Sequence, residues 1–503
     1  MTGGAGMRAV AKREKSLADL GLAARAGQEA RITGLALDSR AVVPGALFAA
    51  LPGTRVHGAE FIPYALRMGA GAVLTDATGA AIAADALAER PVPLVVAEDP
   101  RQALAFAAAL WFEAQPETMV AVTGTNGKTS VASFTRQIWA ALGRTAASIG
   151  TTGVEGAFSA PLPHTTPDTL TLHRLLAEMA AEGVTHAAME ASSHGLDQHR
   201  MDAVQLVAAG FTNLSQDHLD YHGSMDEYFA AKAGLFARLL PEEGTAVVNL
   251  DDPRGAEMAA IVRARGQRLI GVGRGEEASL RLLAQRAEPE GQILRFAWDG
   301  KPHQVRLGLI GAFQAENVLV ATGLAIAAGE APEQVMATLP RLQTVRGRMS
   351  HVATRANGAP VFVDYAHTPD AVATALAALR PHVLGRLICV LGAGGDRDRT
   401  KRPLMGHAAA AHADGVYVTD DNPRGEDPAA IRAQIMAACP EAREVGDRAE
   451  AILRAVDALG PGDALIILGK GHETGQIVGD TVYPFDDAEQ ASIAVAALDG
   501  TDR

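Results

Sequence analysis

Cysteine is scarce in this sequence: Cys389 and Cys439 are the only two in 503 residues. They lie far apart in the chain and form no Cys-x-x-Cys pair, and no histidine cluster adjoins them. The spacing typical of a zinc site or of a disulfide framework is therefore absent. We expect two reduced thiols in the core of a cytoplasmic protein.

Long apolar runs are also missing. No uninterrupted apolar stretch reaches the roughly 18 residues with which a helix crosses a bilayer. The first residues lack the apolar segment of a secretory signal peptide. We therefore expect neither a membrane span nor a signal peptide.

An excess of basic residues is the third feature that the chain lacks. Lysine and arginine total 45 against 58 acidic residues, and the net charge is −13. This balance argues against a nucleic-acid partner, which favours a basic surface. An anionic small substrate remains compatible with it, because only the local field at a site matters for binding.

The length and the alternation of strand-like and helical segments predict an α/β protein of about three domains. We place an N-terminal domain at 1–115, a central domain at 116–344 and a C-terminal domain at 345–503. The central domain is predicted to be a P-loop-type ATPase domain with a mostly parallel sheet. In the C-terminal domain, apolar segments are followed repeatedly by polar loops, which predicts a Rossmann-like, doubly wound sheet.

The central domain opens with a glycine-rich loop, Gly124-Thr-Asn-Gly-Lys-Thr129, between a predicted strand at Met119–Thr123 and a helix from Ser130. Backbone N–H groups of such a loop can surround a phosphate at the start of a helix. In this arrangement Lys128 can reach the β- and γ-phosphates and Thr129 can bind Mg²⁺. Val122 stands where the general P-loop pattern has glycine. The strand, loop and helix nevertheless predict an ATP site.

Two more predicted strands, His186–Met189 and Leu206–Phe211, end in polar clusters that contain Glu190 and His218. Ligands bind at the carboxyl ends of parallel strands. Glu190 could cap a helix, but beside a nucleotide site Mg²⁺ ligation is the better interpretation. His218 competes with several neighbouring histidines for any such role. Lys232, on an amphipathic helix, would by itself be a solvated lysine.

Three other segments leave their interpretation open. Asp38-Ser39-Arg40 fits a plain turn better than a site for ribose, uracil or pyrophosphate. Residues 260–310 resemble irregular strands, followed by an apolar helix at Val318–Ala328. Asn317, at the start of that helix, could bind a base edge or cap a turn.

Polar loops of the C-terminal domain carry arginines together with asparagine, glycine and glutamate. Arginine binds a carboxylate through two parallel hydrogen bonds, and glutamate can pair with an ammonium group. The loops therefore suit a zwitterionic amino acid. Surface salt bridges are the alternative explanation.

Together, the motifs resemble the Mur ligase family, which includes folylpolyglutamate synthetase. The resemblance rests on Thr123–Ser130, Met189–Arg200, Thr212–Gly223 and Asp364–Asp370. It extends from about residue 35 to 487 and explains the absence of glycine at Val122. It implies an ATP-dependent amide ligase of peptidoglycan precursor synthesis, and hence a role in cell-wall growth, cell shape and division.

Within the family, Asp421-Asn422-Pro423-Arg424 is similar to the motif of members that add meso-diaminopimelate. The implied reaction joins that amino acid to the D-glutamate γ-carboxylate of UDP-N-acetylmuramoyl-L-alanyl-D-glutamate through an acyl phosphate. The alternatives are an L-lysine-adding homologue, a folylpolyglutamate-synthetase-like ligase, and a nucleotide-gated binding protein without ligase activity.

The resemblance also implies roles for individual residues, with ATP and Mg²⁺ as cofactors and a monomeric enzyme. Catalytic roles fall to Lys128, Lys232, Glu190 and His218. The Mg²⁺ site would comprise Thr129, Glu190, His218 and Lys232 as a carbamate. ATP would contact Gly124, Thr125, Asn126, Gly127, Lys128, Thr129, Ser130, Asn317, Arg348 and Asp364. The UDP-substrate would contact Leu37, Ser39, Thr165, Thr166, Ser192, Gln198 and Arg200. Diaminopimelate would contact Arg397, Asn422, Pro423, Arg424, Gly469 and Glu473.

Overall fold

The computed structural model describes residues 13–53, 56–162, 164–217, 219–288 and 290–500. The described chain forms two compact units, one within residues 1–128, 139–270 and 324–329, the other within 129–138, 271–323 and 330–503. None of the described helices combines the length and apolar composition that a membrane span requires.

The N-terminal segment folds around a four-stranded parallel sheet in the order β3-β4-β5-β6. Apolar cores lie on both sides of it, which explains why its strands read as continuous apolar runs. The sequence pattern predicts one helix through Ala59–Met68. The structure instead has a 3₁₀ turn, Gly58–Phe61, followed by a short α-helix. The strands are β1 (Lys15–Ser16), β2 (Arg31–Ile32), β3 (Leu35–Ala36), β4 (Leu47–Ala49), β5 (Ala72–Thr75) and β6 (Leu94–Val96), and the helices are α1 (Ile62–Arg67), α2 (Ala77–Ile82), α3 (Ala84–Glu89) and α4 (Pro100–Phe112).

The central segment contains a sheet with the order β13-β12-β11-β7-β10-β8-β9. Its central strand, β7, is parallel to both neighbours, β10 and β11. The strands are β7 (Thr118–Thr123), β8 (Ala146–Gly150), β9 (Gly153–Gly156), β10 (His186–Glu190), β11 (Ala208–Phe211), β12 (Thr245–Asn249) and β13 (Arg268–Gly273), and the helices are α5 (Lys128–Ala141), α6 (Thr169–Ala181), α7 (Ser193–Asp197), α8 (Leu219–His222), α9 (Met225–Gly234) and α10 (Gly255–Ala264).

The sequence predicts a helix through Thr169–Ala181 capped by Asp168, and α6 has these limits. The Asp168 carboxylate accepts hydrogen bonds from the backbone N–H groups of Leu170 and Thr171, both at 3.1 Å. These N–H groups have no partner within the helix, so a capping carboxylate defines where the helix begins.

Strands are present in most of the range 260–310, as the sequence predicts. After α10 and β13, the chain forms three strands that pair antiparallel, β14 (Leu280–Glu288), β15 (Gly291–Trp298) and β16 (Lys301–Leu307), before the helices α11 (Phe313–Ala327) and α12 (Pro332–Thr338). The pairing of β14 with β15 is irregular at one point, where the register shifts between Leu282 and Ala284. Asp299 and Gly300 connect β15 to β16 with positive φ at both residues. Such an Asp-Gly pair is a strong hairpin signal, and the sequence interpretation overlooked it.

The C-terminal segment is a six-stranded sheet with the order β17-β18-β22-β19-β20-β21, parallel except for the edge strand β17. Separate apolar cores cover its two faces, so the predicted doubly wound fold is confirmed. The strands are β17 (Ser350–Thr354), β18 (Pro360–Asp364), β19 (Leu387–Leu391), β20 (Gly415–Val418), β21 (Arg443–Glu444), β22 (Ala464–Leu468), β23 (Gly475–Val478) and β24 (Thr481–Pro484), and the helices are α13 (Pro369–Leu379), α14 (Lys401–His412), α15 (Pro428–Met436), α16 (Arg448–Asp457) and α17 (Asp487–Asp499).

The α/β class with mostly parallel sheets is therefore confirmed. The domain limits at 115/116 and 344/345 stay a prediction. The parallel strands of the three sheets lie mostly within residues 35–96, 118–273 and 360–468 in turn.

Candidate active site

The glycine-rich loop connects the C-terminal end of β7 to the first turn of α5. Gly124 and Gly127 both have positive φ, +148° and +86°. A Cβ at Gly124 would lie 1.9 Å from the Thr212 hydroxyl, so this position requires glycine. The segment after β11 holds the loop: the Thr212 hydroxyl donates to Asn126 O at 2.6 Å, and Asn126 N donates to Asn213 Oδ1 at 2.9 Å.

Two lysines converge on this loop. Lys128 Nζ donates to Gly124 O at 2.9 Å and to Thr125 O at 2.8 Å. Lys232 Nζ, from α9, donates to the same Gly124 O at 2.8 Å. Thr129 and Ser130, in the first turn of α5, are buried. The loop therefore brings two lysine amino groups to one carbonyl.

Lys232 is not the solvated residue that its helix position predicts. Only 1% of it is exposed, and its ammonium lies 4.3 Å from the centre of the Tyr228 ring. Burial, together with repulsion from Lys128, lowers the pKa of Lys232 well below the ordinary lysine value, although Asp217 opposes this. A lysine of this kind has a larger fraction of neutral, nucleophilic amine than a surface lysine.

Glu190 ends β10, the strand next to β7, and it is buried. Its carboxylate accepts a hydrogen bond from Thr151 N at 2.8 Å and one from the Thr151 hydroxyl at 3.2 Å. A Cβ at Gly150 would lie 1.9 Å from Glu190 Oε1. Glycine at 150 therefore leaves room for the carboxylate at this strand end.

Most of the predicted UDP-substrate residues form one hydrogen-bonded network beside Glu190. The Thr166 hydroxyl donates to Glu190 O at 3.0 Å and accepts from Ser192 N at 3.0 Å. Arg200 donates to Thr166 O at 2.8 Å and to Gln198 Oε1 at 2.7 Å. The Thr165 hydroxyl lies 3.0 Å from the Thr151 hydroxyl, which itself contacts Glu190. Tertiary structure thus brings together residues from three loops.

Leu37 and Ser39 lie elsewhere in the first unit, after β3. Ser39 is buried and begins a 3₁₀ turn, Ser39–Ala41, that the Asp38 side chain caps. Asp38 also pairs with the exposed Arg40, and this contact lowers the pKa of Asp38 to about 2. The geometry is that of a capped turn, and the uridine contact stays a prediction.

Asn317, Arg348 and Asp364, which are predicted to contact ATP, lie in the second unit. Asp364 ends β18, where its buried carboxylate accepts from Met349 N at 2.7 Å and from Ala366 N at 2.8 Å, and burial raises its pKa. The Arg348 guanidinium stacks 4.7 Å from the centre of the Tyr365 ring.

The sequence predicts that Asn317 begins a helix, but the structure does not place it there. It lies within α11, which begins four residues earlier at Phe313. Its Nδ2 donates to Gln314 Oε1 at 3.1 Å, and the side chain is buried. Asn317 therefore neither starts the helix nor caps a turn there, and its contact with a base edge stays a prediction.

Asn422 and Glu473 meet at the C-terminal ends of the strands in the doubly wound sheet. Asn422 Nδ2 donates to Glu473 Oε2 at 2.9 Å. Lys470 Nζ donates to Asn422 Oδ1 at 2.9 Å and to Glu473 Oε2 at 3.3 Å. This polar cluster comes from the loops after β20 and β22, which lie on either side of β19.

Arg424 also reaches this region, and its backbone has the rare φ of +52°. Its Nη1 donates to Gly395 O at 2.8 Å, and its N–H donates to Ile477 O at 3.0 Å. Pro423, between Asn422 and Arg424 in the sequence, is buried. Gly469 has a φ of +113°, and a Cβ there would lie 2.5 Å from Asp421 Oδ2.

Arg397 differs from the other predicted amino-acid contacts because its side chain is exposed. It donates to the carbonyl of its neighbour Asp396 at 3.0 Å. A guanidinium in this setting can turn toward an incoming carboxylate at little desolvation cost.

His218, one of the predicted Mg²⁺ ligands, lies outside the described residues. Among the residues that the structure describes, no group of three or more histidine, cysteine, aspartate or glutamate side chains is arranged to hold a metal ion. The predicted Mg²⁺ site depends on Thr129, Glu190 and a modified Lys232, and it stays a prediction.

Three side chains of this site were not assigned roles from the sequence: Lys470, Tyr228 and Thr151. Lys470 stands between two glycines in Gly469-Lys470-Gly471 after a buried strand, a pattern that could have marked it as a functional loop residue. Tyr228 and Thr151 have no comparable local signal. Their importance comes from neighbours that are distant in the chain.

Comparisons with known proteins agree with this geometry. A family model for the Mur ligase middle domain matches residues 122–325. One for the Mur ligase glutamate ligase domain matches 347–471, and one for the Mur ligase family catalytic domain matches 31–111.

Two curated proteins named UDP-N-acetylmuramoyl-L-alanyl-D-glutamate--2,6-diaminopimelate ligase are similar to the chain over nearly its whole length. The protein of Bradyrhizobium diazoefficiens is 52% identical over 470 residues, covering 93% of this chain and 95% of that protein. The protein of Caulobacter vibrioides is 51% identical over 478 residues, covering 94% and 96%.

A solved structure with the same ligase title is 33% identical and has a TM-score of 0.69, covering 93% of this chain and 95% of that one. Both the sequence motifs and the fold are therefore shared along the chain. The chain belongs to the Mur ligase family.

Proposed function

We propose that this protein is an ATP-dependent ligase that adds meso-diaminopimelate to UDP-N-acetylmuramoyl-L-alanyl-D-glutamate. An oxygen of the D-glutamate γ-carboxylate attacks the γ-phosphorus of ATP, and ADP leaves. The amine of diaminopimelate then attacks the carbonyl carbon of the acyl phosphate. The tetrahedral intermediate expels inorganic phosphate, the amine nitrogen loses a proton, and an amide remains.

The observation that carries this proposal is the convergence of Lys128 and Lys232 on the Gly124 carbonyl at the end of β7, with Glu190 ending the adjacent strand. Phosphoryl transfer needs positioned positive charge rather than covalent chemistry from the protein. Lys128 supplies that charge from the phosphate loop. The network around Thr166 and Arg200 is the binding region for the UDP-substrate.

The second substrate requires a pocket that recognises both a carboxylate and an ammonium group. Arg397 and Arg424 suit the carboxylate at the far end of diaminopimelate, which L-lysine lacks. Asn422 and Glu473, held 2.9 Å apart, suit the neighbouring ammonium. We therefore favour diaminopimelate over lysine as the amino acid that is added.

Bound Mg²⁺ would offset negative charge on the phosphates. Oxygen ligands suit this ion, and the Thr129 hydroxyl and the Glu190 carboxylate are of that kind. Lys232 fits only as a carbamate, which forms when the neutral amine attacks CO₂ and then loses a proton. The lowered pKa of Lys232 favours that neutral form. Thr129, Glu190, His218 and carbamylated Lys232 are thus our proposed ligands.

We further propose that the protein acts as a monomer in the cytoplasm, where it supplies a precursor for cell-wall growth and division. The names of the curated relatives support the precursor role. The oligomeric state is to be measured by light scattering in the presence of both substrates.

The decisive experiment measures phosphate release with ATP and UDP-N-acetylmuramoyl-L-alanyl-D-glutamate, with meso-diaminopimelate or L-lysine as the third substrate. We expect release with diaminopimelate only. Release with lysine instead would keep the ligase reaction but overturn the assignment of the pocket. No release with either would favour a binding protein without ligase activity.

A further inference from the structure

Lys470 is a fully buried lysine in the loop after β22, and its side chain has no exposed surface. A buried ammonium is costly unless it is paired and hydrogen-bonded. Lys470 Nζ donates to Asn422 Oδ1 at 2.9 Å and to Glu473 Oε2 at 3.3 Å, and it lies 3.6 Å from Asp421 Oδ1. All three partners belong to the proposed diaminopimelate pocket or adjoin it.

These contacts determine which way the Asn422 amide points. Asn422 Oδ1 accepts from Lys470 Nζ and from Ile477 N, both at 2.9 Å. Both of these groups act only as donors here, so the atom that they contact must be the oxygen. The amide nitrogen therefore points at Glu473 Oε2, 2.9 Å away.

Lys470 also lies between two carboxylates of the cluster. Its Nζ is 3.6 Å from Asp421 Oδ1 and 3.3 Å from Glu473 Oε2. Asp421 is buried, whereas the side chain of Glu473 is 32% exposed. Glu473 is therefore the carboxylate of this pair that an ammonium group can reach.

The backbone around Lys470 is suited to holding its side chain in place. Gly469 and Gly471 on either side have φ of +113° and +55°. A Cβ at Gly471 would lie 2.6 Å from Tyr365 Cβ. The loop can therefore follow this path only with glycine at both positions, and the path directs Lys470 inward.

We propose that Lys470 is a positioning residue for the amino-acid substrate: it orients Asn422 and Glu473 so that Glu473 presents its carboxylate to the ammonium of diaminopimelate. The proposal rests on the proposed ligase function. Lys470 itself contacts no substrate and acts through these two side chains.

The test compares steady-state kinetics of the full-length wild type with those of Lys470→Met, which keeps the length of the side chain but removes its donors. We expect the KM for meso-diaminopimelate to rise by at least about tenfold, since hydrogen bonds to charged groups are lost. The KM for the UDP-substrate should change by less than about twofold, because Lys470 Nζ contacts Asn422, Glu473 and Asp421 instead. The KM for ATP should change less than the KM for diaminopimelate, because only the backbone of the Lys470 loop adjoins the proposed ATP residue Asp364, through Gly469 N and Asp364 O at 3.2 Å. Lys470→Arg, which restores the charge and the donors, should recover most of the loss.

Arg355→Met is the matched control. Arg355 is also largely buried in the C-terminal segment, where it pairs with Asp499 at 2.8 Å. Arg355→Met should lower the thermal midpoint without altering the KM for diaminopimelate.

Lys470→Gln, which keeps an amide donor, is measured alongside in case Lys470→Met does not fold. We expect a smaller rise in the KM for diaminopimelate with this variant.

An unchanged KM for diaminopimelate in a folded Lys470→Met or Lys470→Gln protein would overturn the proposal. Equal changes in the KM values of all three substrates would also overturn it, because they would show a general structural role. Absence of diaminopimelate-dependent phosphate release in the wild type would instead refute the proposed function. The two failures are thus distinguishable.

Discussion

At the scale of single residues, Lys128 carries the most direct prediction. Its ammonium contacts two carbonyls of the phosphate loop, and in the proposed function it is the cation that contacts the bound phosphates. Lys128→Ala should lower kcat by more than about a hundredfold, because charge stabilisation dominates phosphoryl transfer. The rate of phosphate release with all three substrates measures this change in kcat.

The control for this change is Lys301→Ala, since the side chain of Lys301 is 64% exposed and its Nζ lies 3.5 Å from Glu333 Oε1. It should leave kcat unchanged within about twofold, as exposed ion pairs contribute little. If Lys128→Ala retained activity within about tenfold of the wild type, the assignment of the ATP site would be wrong.

Lys232 allows a second prediction at the same scale, one that concerns pH. Its pKa is lower in the folded chain than in the unfolded chain, because of burial and of Lys128. Between the lowered pKa and the ordinary value of 10.5, the unfolded chain therefore binds the Lys232 proton more tightly. The contribution of Lys232 to the free energy of unfolding should rise with pH through this window, by at most about 1.4 kcal/mol per pH unit.

Denaturant unfolding of the wild type and of Lys232→Met, at several pH values in CO₂-free buffer, measures this difference. The wild type should gain stability relative to the variant as the pH rises toward the ordinary lysine pKa. Two curves that stay parallel would contradict the lowered pKa. Supplying ¹³CO₂ should then give a carbamate signal in the ¹³C spectrum of the wild type that the variant lacks.

At the scale of structural elements, the connection from α7 to β11 shows how a loop can position a binding site. His199 lies between Gln198 and Arg200 with a φ of +55°. Its Nε2 lies 3.0 Å from Asp99 Oδ2, at the start of α4, and its Nδ1 lies 2.9 Å from Asp202 Oδ2. The imidazole thereby connects the loop of Gln198 and Arg200, both predicted to contact the UDP-substrate, to Asp99 at the start of α4.

His199→Asn tests this tie, because asparagine tolerates a positive φ but cannot reach both carboxylates. We expect the KM for the UDP-substrate to rise by about three- to tenfold, because one or two hydrogen bonds are lost. The KM for ATP should not change. The control is His412→Asn, because His412 is exposed. If the two variants had equal KM values for the UDP-substrate, His199 would not position the loop.

Element by element, the sequence predicted buried parallel strands better than other segments. The apolar runs Leu387–Leu391 and Ala464–Leu468 predict two strands, and β19 and β22 have these limits. Strands that are buried on both faces are continuous apolar runs bounded by polar loops, which makes their limits visible in the sequence. Strands β14 to β16 were predicted only as irregular strands without limits, because much of their surface is exposed and polar residues interrupt the apolar pattern. Their antiparallel pairing is evident only in the structure.

At the scale of the whole molecule, the C-terminal segment has the features of an independent folding unit. Its sheet has a separate apolar core on each face, and nearly all the residues of both cores lie beyond residue 345. The predicted limit at residue 345 can therefore be tested directly.

A fragment of residues 345–503 should fold by itself. We expect an α/β circular dichroism spectrum and a single cooperative thermal transition. Its midpoint should lie below that of the full chain, since Ile310 and Phe313 also pack against one of these cores. A fragment of residues 385–503, which lacks β17, β18 and α13, is the control and should not fold cooperatively. An unfolded 345–503 fragment would contradict the predicted limit.

What the sequence determined by itself is local and contiguous. The phosphate loop, the capped helix α6 and the alternation of strands and helices depend on neighbouring residues, so they can be predicted without a structure. The family resemblance likewise rests on short continuous motifs, and it led to the proposed substrates.

Only the tertiary structure decided the environment of the side chains. Lys232 and Lys470 look like ordinary lysines in the sequence, yet both are buried beside groups far away in the chain. Glu190 is similarly held by Thr151, which lies 39 residues earlier in the chain. Burial and charge pairing arise from the packing of distant segments, and no local pattern of residues encodes them.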